Sequence, residues 1–242
     1  MSKILCCGEA LIDMLPCVSD GGLPGFTPLA GGAVFNTAIA LGRLGVSSEM
    51  FTGLSADLFG DVLRGSLGES KVGYGYSAIC NRPTTLAFVK LTDGQATYTF
   101  YNENTADRML SEDDLPDLPA SVETLFFGGI SLVDEPCGST FESLLHREKG
   151  KRVIMMDPNV RPNFIDDHEA YRSRINRMVA GCDLVKLSDQ DLEWLVDETD
   201  LKLGAKKLLS YGASAIFVTM GGDGAFAMTA KAEASVKANL VQ

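Results

Sequence analysis

A short apolar segment followed by a helical segment recurs along most of the 242 residues, and this alternation is what most constrains the fold. The pattern predicts an α/β fold with a mainly parallel central sheet, because parallel strands need helical crossovers between them. The predicted strands are 3–8, 48–53, 124–128, 152–157, 184–187 and 215–220. The predicted helices are 35–44, 59–70, 137–148, 169–180, 188–196 and 201–211, with Gly45 placed to end the first.

One section interrupts this alternation and predicts a small antiparallel sheet. Its strands are drawn from about 11–30 and 84–101, within which the segments 11–16, 25–30, 84–91 and 97–101 read as strands. Asp93-Gly94, between the last two, is typical of a hairpin turn. Because a sheet of this kind needs something under its inner face, we expect a lid over a ligand or a dimer contact.

Composition excludes several classes of function. A formal net charge of −11 disfavours a nucleic acid or an anionic membrane as partner. A nucleotide stays possible, since backbone amides and one or two cations suffice for phosphate, with a divalent ion to balance the charge. No apolar run reaches the ~20 residues that span a bilayer. Six cysteines without a C-x-x-C pair predict reduced thiols in a cytosolic protein. A content of 45% hydrophobic residues is enough for one large core and predicts one domain over residues 1–242.

Polar residues and glycines follow the first predicted strand. Asp13 lies where the carboxyl ends of parallel strands bind ligands, and its carboxylate could accept two hydrogen bonds from neighbouring hydroxyls. The alternative is an ordinary turn aspartate. Gly31-Gly32 would let backbone amides approach a ligand closely. Asn36 opens the next predicted helix, either as a plain helix-start residue or as a partner for a sugar hydroxyl.

A stiff loop follows the apolar strand 152–157. Pro158 and Pro162 hold Asn159 and Arg161 in place between them. A rigid arginine at the carboxyl end of a strand suits an anionic group. The alternative is an arginine that pairs with Asp157 or with another nearby acid.

Two further strand ends carry residues suited to phosphate. After strand 184–187, Ser188 and Asp191 form an S-x-x-D pattern, so Asp191 either caps a helix or holds water around Mg²⁺. Lys186 lies just before them and could reach a phosphate. After strand 215–220, the pattern T-x-G-x-x-G includes the residues Thr219, Gly221 and Gly224. It is less specific than the P-loop signature, which the chain lacks.

Taken in order, these pieces resemble the ribokinase-like sugar kinases of the PfkB family. The matching runs are 8–13, 31–36 continuing into 40–45, 53–55 with Asp57 and Gly60-Asp61, 157–161 and 219–224. The resemblance implies a ribokinase-like sandwich with a β lid, ATP with Mg²⁺ as phosphoryl donor, and a sugar hydroxyl as acceptor. Phosphoryl transfer depends mainly on alignment and on stabilisation of charge on phosphate oxygens, which such a site would supply.

The resemblance also assigns roles by position. It implies that the sugar is bound by Asp13, Gly31, Gly32, Asn36, Tyr101, Asn159 and Arg161, with Phe100 and Tyr101 on the lid. It implies that the nucleotide is bound by Lys186, Asp191, Thr219, Gly221 and Gly224, with Asp191 also near the metal through water.

One family element is absent from the sequence. The family carries a G-A-G-D motif whose amides form an anion hole and whose aspartate removes the hydroxyl proton, and no such motif follows Gly224. Asp223 lies in the run at the nucleotide position and cannot serve twice, so no catalytic base is assigned. Donors of this type contribute ~10²–10³ in rate each, and a base contributes ~10²–10⁴. We therefore expect a fold truncated at its C-terminal end, with little turnover from these 242 residues alone.

The lid sequence favours one substrate over another. Residues 98–107 resemble the fructokinase-like branch, and Asn102 and Glu103 stand where kinases of keto-deoxy sugar acids tend to place an arginine. A neutral ketohexose such as fructose is therefore favoured, with 2-keto-3-deoxygluconate as the alternative because Arg161 is available. A non-catalytic protein that binds sugar or nucleotide, or a dimer through the lid, is the alternative from another class.

Overall fold

The computed structural model describes residues 3–92 and 95–239. The strands are β1 (Lys3–Cys7), β2 (Leu11–Val18), β3 (Pro24–Gly31), β4 (Ser48–Phe51), β5 (Gly53–Ser55), β6 (Ala78–Cys80), β7 (Leu86–Thr92), β8 (Gln95–Tyr101), β9 (Val122–Gly128), β10 (Val153–Asp157), β11 (Leu184–Ser188), β12 (Ala215–Thr219), β13 (Ala225–Thr229) and β14 (Glu233–Val236). The helices are α1 (Ala33–Arg43), α2 (Leu58–Glu69), α3 (Cys137–Glu148), α4 (His168–Val179), α5 (Asp189–Val196) and α6 (Leu201–Tyr211).

An eight-stranded sheet forms the centre of the fold, in the order β14-β13-β12-β11-β10-β9-β1-β4. The six strands from β12 to β4 all pair in parallel, whereas β13 and β14 pair in antiparallel fashion at one edge. The predicted α/β class with a mainly parallel sheet is confirmed. Since the six parallel strands point the same way, the loops at their carboxyl ends lie along one edge of the sheet.

Helices cover both faces of this sheet, which makes the fold a three-layer sandwich. Leu5 and Cys7 of β1 belong to the buried cluster that includes the apolar faces of α3, α4, α5 and α6. Cys6, between them, belongs to the cluster that includes α1 and α2. This is the alternation that a strand buried on both faces requires.

The lid is a separate four-stranded sheet in the order β3-β2-β7-β8. The hairpins β2–β3 and β7–β8 are antiparallel as predicted, but β2 and β7 pair in parallel through Ile12 and Leu86. The expectation of an antiparallel lid is therefore wrong for its two central strands. β2 and β7 are the first strands of their hairpins and run in the same direction, so they pair in parallel. The predicted turn at Asp93-Gly94 lies outside the described residues.

The predicted strand 48–53 is in fact two strands in different sheets. β4 ends at Phe51, and β5 starts at Gly53 and pairs in parallel with β6. At Gly53 the backbone of Ala106 passes so close that an added Cβ would lie 1.9 Å from the Ala106 carbonyl oxygen. The chain therefore changes sheets at a glycine because another loop crosses it there.

No strand was predicted after Met220, yet β13 and β14 form a hairpin there and extend the central sheet. Phe226 and Met228 of β13 are buried in the core, whereas every residue of β14 is exposed. An edge strand with one apolar pair and many small residues gives only a weak sequence signal.

Helix α1 begins earlier than predicted. Its N-cap is Gly32, so Asn36 is the fourth helical residue and does not open the helix. Its end is as predicted, because Gly45 adopts a φ of +81° just after the C-cap Leu44.

All six cysteines are free, and the buried ones are Cys6, Cys7, Cys137 and Cys182. Within the described residues, no helix is long and apolar enough to cross a membrane.

Candidate functional site

A cavity of about 180 Å³ lies where the loops after β1, β9 and β10 meet the start of α1 and the inner face of the lid. Its lining residues are Glu9, Leu11, Asp13, Gly32, Ala33, Asn36, Tyr98, Phe100, Ile130, Asn159 and Arg161. This volume is small beside the roughly 300–1,000 Å³ of pockets that hold drug-sized ligands. The cavity therefore suits a small polar molecule and is too small for a whole nucleotide.

The structure brings most of the predicted sugar-binding residues into this cavity. Asp13, Gly32, Asn36, Asn159 and Arg161 all line it, although they come from three separate parts of the chain. They converge because β2, α1 and the β10 loop all start or end at the same edge of the sheet.

Asp13 offers a free carboxylate to the cavity. It is half-buried on β2, and burial raises its pKa above the ordinary value. No hydrogen-bond donor among residues 3–92 and 95–239 reaches its carboxylate oxygens, so both can accept bonds from a ligand. Gly31 lies beside it, and an added Cβ there would stand 2.1 Å from Asp13 Oδ2. Gly31 thus supports the site by leaving room for Asp13 and does not itself line the cavity.

Arg161 is positioned by hydrogen bonds within its own loop and has no carboxylate partner among the described residues. Its Nη1 donates to the carbonyl oxygens of Val160 (3.0 Å) and Asn159 (3.4 Å), within its own loop. The alternative pairing with Asp157 is not seen, because Asp157 Oδ2 instead accepts from Lys186 Nζ at 2.8 Å. Asn159 has a φ of +45°, a left-handed conformation that turns the loop toward the cavity. An anionic group at this position would meet an arginine without a carboxylate partner among the described residues.

The lid contributes Tyr98 and Phe100 in place of Tyr101. Side chains alternate along β8, so residues 98 and 100 share the inner face. The ring of Phe100 also packs on Phe164, with 4.6 Å between centroids. Tyr101 points outward, is 61% exposed and packs on Phe88 at 5.4 Å, so the assignment of Tyr101 to the sugar is corrected to the two inner aromatic residues.

The predicted nucleotide residues lie at the ends of β11 and β12, further along the same edge. A 3-10 turn, Gly221–Asp223, follows β12, and Gly221 has a φ of +54° with open space around it. The N–H groups of Gly221 and Gly222 start this turn and have no acceptor within the described part of the chain. Exposed amides of this kind form an anion site. Thr219 Oγ1 donates to the Leu187 carbonyl oxygen at 3.4 Å, which joins the ends of β12 and β11.

Gly224 is required by the backbone geometry at its position. Its φ is +102°, and an added Cβ would lie 2.0 Å from the Val236 carbonyl oxygen. The glycine is therefore needed for the close approach of β14, whether or not a nucleotide binds nearby.

Asp191 caps helix α5, which was one of its two predicted roles. Its Oδ2 accepts from the Ser188 N–H at 3.2 Å, and Ser188 Oγ accepts from the Asp191 N–H at 3.0 Å, a reciprocal capping box. Its Oδ1 accepts from the Val160 N–H at 3.1 Å, which ties the Arg161 loop to α5. Its role at a metal stays a prediction. Within the described residues there is no group of three or more His, Cys, Asp or Glu that could hold a metal ion directly.

The family model for pfkB family carbohydrate kinases matches residues 1–241. The chain belongs to the PfkB family of carbohydrate kinases. A fructokinase of Rhizobium leguminosarum bv. trifolii is 51% identical over 238 residues, which cover 98% of this chain and 73% of that protein. Probable fructokinase-3 of Arabidopsis thaliana is 34% identical over 238 residues, or 95% of this chain and 69% of that protein.

Solved structures of PfkB-type kinases show the same fold. A fructokinase of Xylella fastidiosa with bound ATP superposes with a TM-score of 0.88 at 29% identity, covering 97% of this chain and 77% of that one. An aminoimidazole riboside kinase of Salmonella enterica superposes with a TM-score of 0.87 at 22% identity, over 100% of this chain and 78% of that one. The predicted ribokinase-like fold with a small lid sheet is therefore confirmed.

Sequence reasoning missed one acidic residue of this PfkB-family site. Glu9 follows β1, is 2% exposed and lines the cavity, and burial raises its pKa to about 7. Its Oε1 accepts from the Ala33 N–H at 2.6 Å and the Val34 N–H at 3.3 Å. The available signal was an acidic residue two positions after the end of a strand whose side chains are almost all apolar.

Proposed function

We propose that this chain is the sugar- and nucleotide-binding part of a fructokinase, which transfers a phosphoryl group from ATP to a primary hydroxyl of fructose. The observation that carries the proposal is the convergence of Asp13, Asn36, Asn159 and Arg161 on one small cavity, at the same sheet edge as the glycine turn 221–224. The 51% identity to a fructokinase supports the substrate assignment.

In this proposal the residues of the cavity bind and orient the sugar. The Asp13 carboxylate accepts hydrogen bonds from two neighbouring hydroxyls, and the Asn36 amide both donates and accepts. Tyr98 and Phe100 cover the sugar and exclude water from the reacting hydroxyl. Arg161 stabilises negative charge on the transferring group, because its guanidinium lies at the cavity wall without a carboxylate partner among the described residues.

The ends of β11 and β12 fit a bound ATP. ATP supplies the phosphoryl group, and Mg²⁺ neutralises charge on its phosphates. The free amides of Gly221 and Gly222 are donors for phosphate oxygens, and Thr219 stands beside them. Lys186 lies between this turn and the sugar cavity, where its ammonium group could move from Asp157 to a phosphate. We place Asp191 near Mg²⁺ through water, since each of its oxygens keeps a lone pair beyond the one backbone amide that it accepts.

The charges of the cavity favour a neutral sugar over a sugar acid. Arg161 is the one cationic residue among the lining residues, whereas Glu9 and Asp13 are both acidic. Glu103 does not contribute to this preference, contrary to the expectation from the sequence, because it lies in an outer cavity beside Tyr101 and does not line this one. A carboxylate on the ligand would meet more negative than positive charge, so fructose is preferred to 2-keto-3-deoxygluconate.

A second candidate function is binding without turnover by residues 1–242 alone. The observation behind it is that none of the residues lining the described cavity is assigned as the base that removes the hydroxyl proton. We expect residues 1–242 to bind fructose and ADP but to release ADP from ATP far more slowly than an ordinary kinase. A fusion of residues 1–242 to the C-terminal quarter of the Rhizobium fructokinase should turn over.

Calorimetry and a coupled ADP-release assay test these proposals together. Titration of residues 1–242 with fructose, with and without ADP and Mg²⁺, should give saturable binding at least about tenfold tighter than with 2-keto-3-deoxygluconate, a gap of about 1.4 kcal/mol. A preference for the acid sugar would overturn the substrate assignment. Ordinary kinase turnover by residues 1–242 would overturn the assignment of binding alone, and an inactive fusion would count against the kinase proposal.

The lid also offers a surface for self-association. Phe26, Phe88 and Tyr101 form a ring cluster on the outer lid face, and Phe26 and Tyr101 are 48% and 61% exposed. We propose a homodimer through this face, because exposed aromatic clusters of this kind favour protein contacts. Light scattering after gel filtration measures the mass in solution and so tests the homodimer.

We also propose a cytoplasmic location, which the six free cysteines support.

A further inference from the structure

Glu9 is a buried acid without a cationic partner. It is 2% exposed, and no lysine, arginine or histidine of the described residues forms an ion pair with it. Burying a carboxylate costs free energy unless hydrogen bonds replace the lost water. A residue placed this way beside a ligand cavity needs a physical reason.

The reason lies in three backbone N–H groups from two different elements. Glu9 Oε1 accepts from Ala33 (2.6 Å) and Val34 (3.3 Å), the first two residues of α1, and Oε2 faces the Ser131 N–H at 3.5 Å. The N-cap of α1 is Gly32, which has no side chain to cap the helix. Glu9 therefore caps α1 from another part of the chain, where the helix dipole also favours a negative charge.

Two glycines leave space for this carboxylate. An added Cβ at Gly129 would lie 2.2 Å from both carboxylate oxygens of Glu9, and one at Gly32 would lie 3.1 Å from its Cγ. Both glycines have positive φ, +73° and +110°. The chain thus folds around Glu9 on both sides, and the acid connects the start of α1 to the loop after β9.

We propose that Glu9 is a positioning residue of the sugar site, whose carboxylate fixes the start of α1 against the 129–131 loop and so sets Asn36 relative to Asp13. The two elements that it joins both line the cavity, α1 through Ala33 and Asn36 and the 129–131 loop through Ile130. This inference rests on the proposed function of the same cavity. Glu9 acts through backbone amides and leaves the contacts with sugar hydroxyls to Asp13 and Asn36.

The test compares Glu9→Gln with Glu148→Gln in the 242-residue chain. Glu148 is also buried, at 6% exposed, and accepts from Arg152 Nε at 2.8 Å near the opposite edge of the sheet. Because burial raises the pKa of Glu9 to about 7, the comparison is made at about pH 8, where the carboxylate is ionised. Glu9→Gln then keeps the shape of the side chain but loses its charge and places an N–H₂ group against backbone N–H donors. We expect the Kd for fructose to rise about 10–100-fold, in line with a lost charge-assisted hydrogen bond. The Kd for Mg²⁺–ADP should stay within about twofold.

The control and a conservative variant separate positioning from general stability. Glu148→Gln should lower the thermal midpoint without changing the Kd for fructose. Glu9→Asp keeps the charge on a shorter side chain and should recover part of the fructose affinity. It also allows the proposal to be tested if Glu9→Gln does not fold. Unchanged fructose binding by Glu9→Gln, or a parallel loss for fructose and ADP that Glu148→Gln reproduces, would overturn the inference.

Amide hydrogen exchange distinguishes failure of this inference from failure of the proposed function. In Glu9→Gln, or in Glu9→Asp if the first variant does not fold, the amides of Ala33, Val34 and Ser131 should exchange faster in the absence of ligand. If the unmodified chain does not bind fructose, the proposed function fails, and hydrogen exchange alone tests the role of Glu9. Faster exchange at these amides then supports the proposal that Glu9 fixes the start of α1 against the 129–131 loop, and unchanged exchange overturns it.

Discussion

Lys186 Nζ and Asp157 Oδ2 lie 2.8 Å apart and join the carboxyl ends of β11 and β10, between the sugar cavity and the glycine turn. Burial raises the pKa of Asp157, whereas the hydrogen bond and the charge of Lys186 lower it. The pKa stays above its ordinary value, so Lys186 offsets only part of the cost of burying this carboxylate. The Lys186 side chain is about one-third exposed, so a solvent-accessible cation lies between the sites of the two proposed ligands.

Replacing this lysine is the first prediction. Lys186→Met should weaken Mg²⁺–ADP binding about tenfold or more, because a charge-assisted hydrogen bond to phosphate contributes roughly 1.5–3 kcal/mol. Fructose binding should change by less than about threefold, since Lys186 does not line the cavity. Calorimetry with each ligand measures both effects. Lys202→Met removes a lysine paired with Glu233, away from the site, and should change neither affinity. Equal loss in both variants would contradict the assignment.

Replacing the cavity carboxylate is the second prediction. Asp13→Ala should raise the Kd for fructose about 10–100-fold, because its oxygens have no other donor among the described residues and are proposed to accept from sugar hydroxyls. The fold should tolerate the change, since no described hydrogen bond is lost. Asp20→Ala, in the exposed turn between β2 and β3, is the matched control. Fructose binding by Asp13→Ala at the unmodified affinity would remove the main support for the sugar site.

Much of the fold could be predicted from sequence because local and long-range signals agree there. Helices 137–148 and 201–211 have the predicted bounds, since the apolar residues that mark them in the sequence also form the faces that are buried in the core. β13 and β14 were not predicted, because an edge hairpin is stabilised by its pairing with β12 more than by its own residues. Long-range pairing of this kind has no local sequence signature.

The candidate site was predicted in part for related physical reasons. Asp13 lies near the start of β2, Asn36 lies in the first turn of α1 and Arg161 lies in the loop after β10. The parallel topology brings such positions to one edge of the sheet. Tyr101 was assigned in place of Tyr98 because the phase of alternation in β8 depends on its register with β7. Glu9 was missed because its partners, Ala33 and Ser131, are backbone amides 24 and 122 residues away.

The two faces of the lid give the third prediction. Phe100→Ala should weaken fructose binding about 5–20-fold, because it removes an inner ring that covers the cavity and packs on Phe164. Tyr101→Ala should leave fructose affinity of the same chain unchanged, since its ring lies on the outer face with Phe88. If the lid forms a dimer, Tyr101→Ala should also shift the mass in light scattering toward the monomer. The reverse pattern for fructose would show that the register of β8 differs.

The capping role of Asp191 gives the fourth prediction. Asp191→Ala removes the acceptors for the Ser188 and Val160 amides, and an N-terminal cap contributes about 1 kcal/mol of stability. We expect urea unfolding to show a loss of about 1–3 kcal/mol, because a second buried amide also loses its partner. If Asp191 also holds water around Mg²⁺, ADP affinity in this variant should respond less to added Mg²⁺ than in the unmodified chain. A stable variant with normal Mg²⁺ response would contradict both roles.

The raised pKa of Glu9 predicts how stability depends on pH. Its ordinary value is 4.5 and burial raises it to about 7, so between these values the folded state holds a proton that the unfolded state has released. Stability from Glu9 is therefore greatest below the unfolded pKa and falls as pH rises, by at most about 1.4 kcal/mol per pH unit, until it levels off above the folded pKa. Asp13, which lines the same cavity, also has a pKa raised by burial, and so do Asp107, Asp134 and Asp157 elsewhere, so these acids also affect the pH profile of the unmodified chain.

The contribution of Glu9 is isolated by the difference between the unmodified chain and Glu9→Gln, because Asp13 and Arg161 are present in both. Urea unfolding of each protein at several pH values between about 5 and 8 gives this difference in unfolding free energy. We expect it to fall as pH rises to about 7 and to stay level above that. A difference that rises with pH would mean that the three backbone amides outweigh burial and lower the pKa of Glu9, which would make its carboxylate fully ionised in the folded protein.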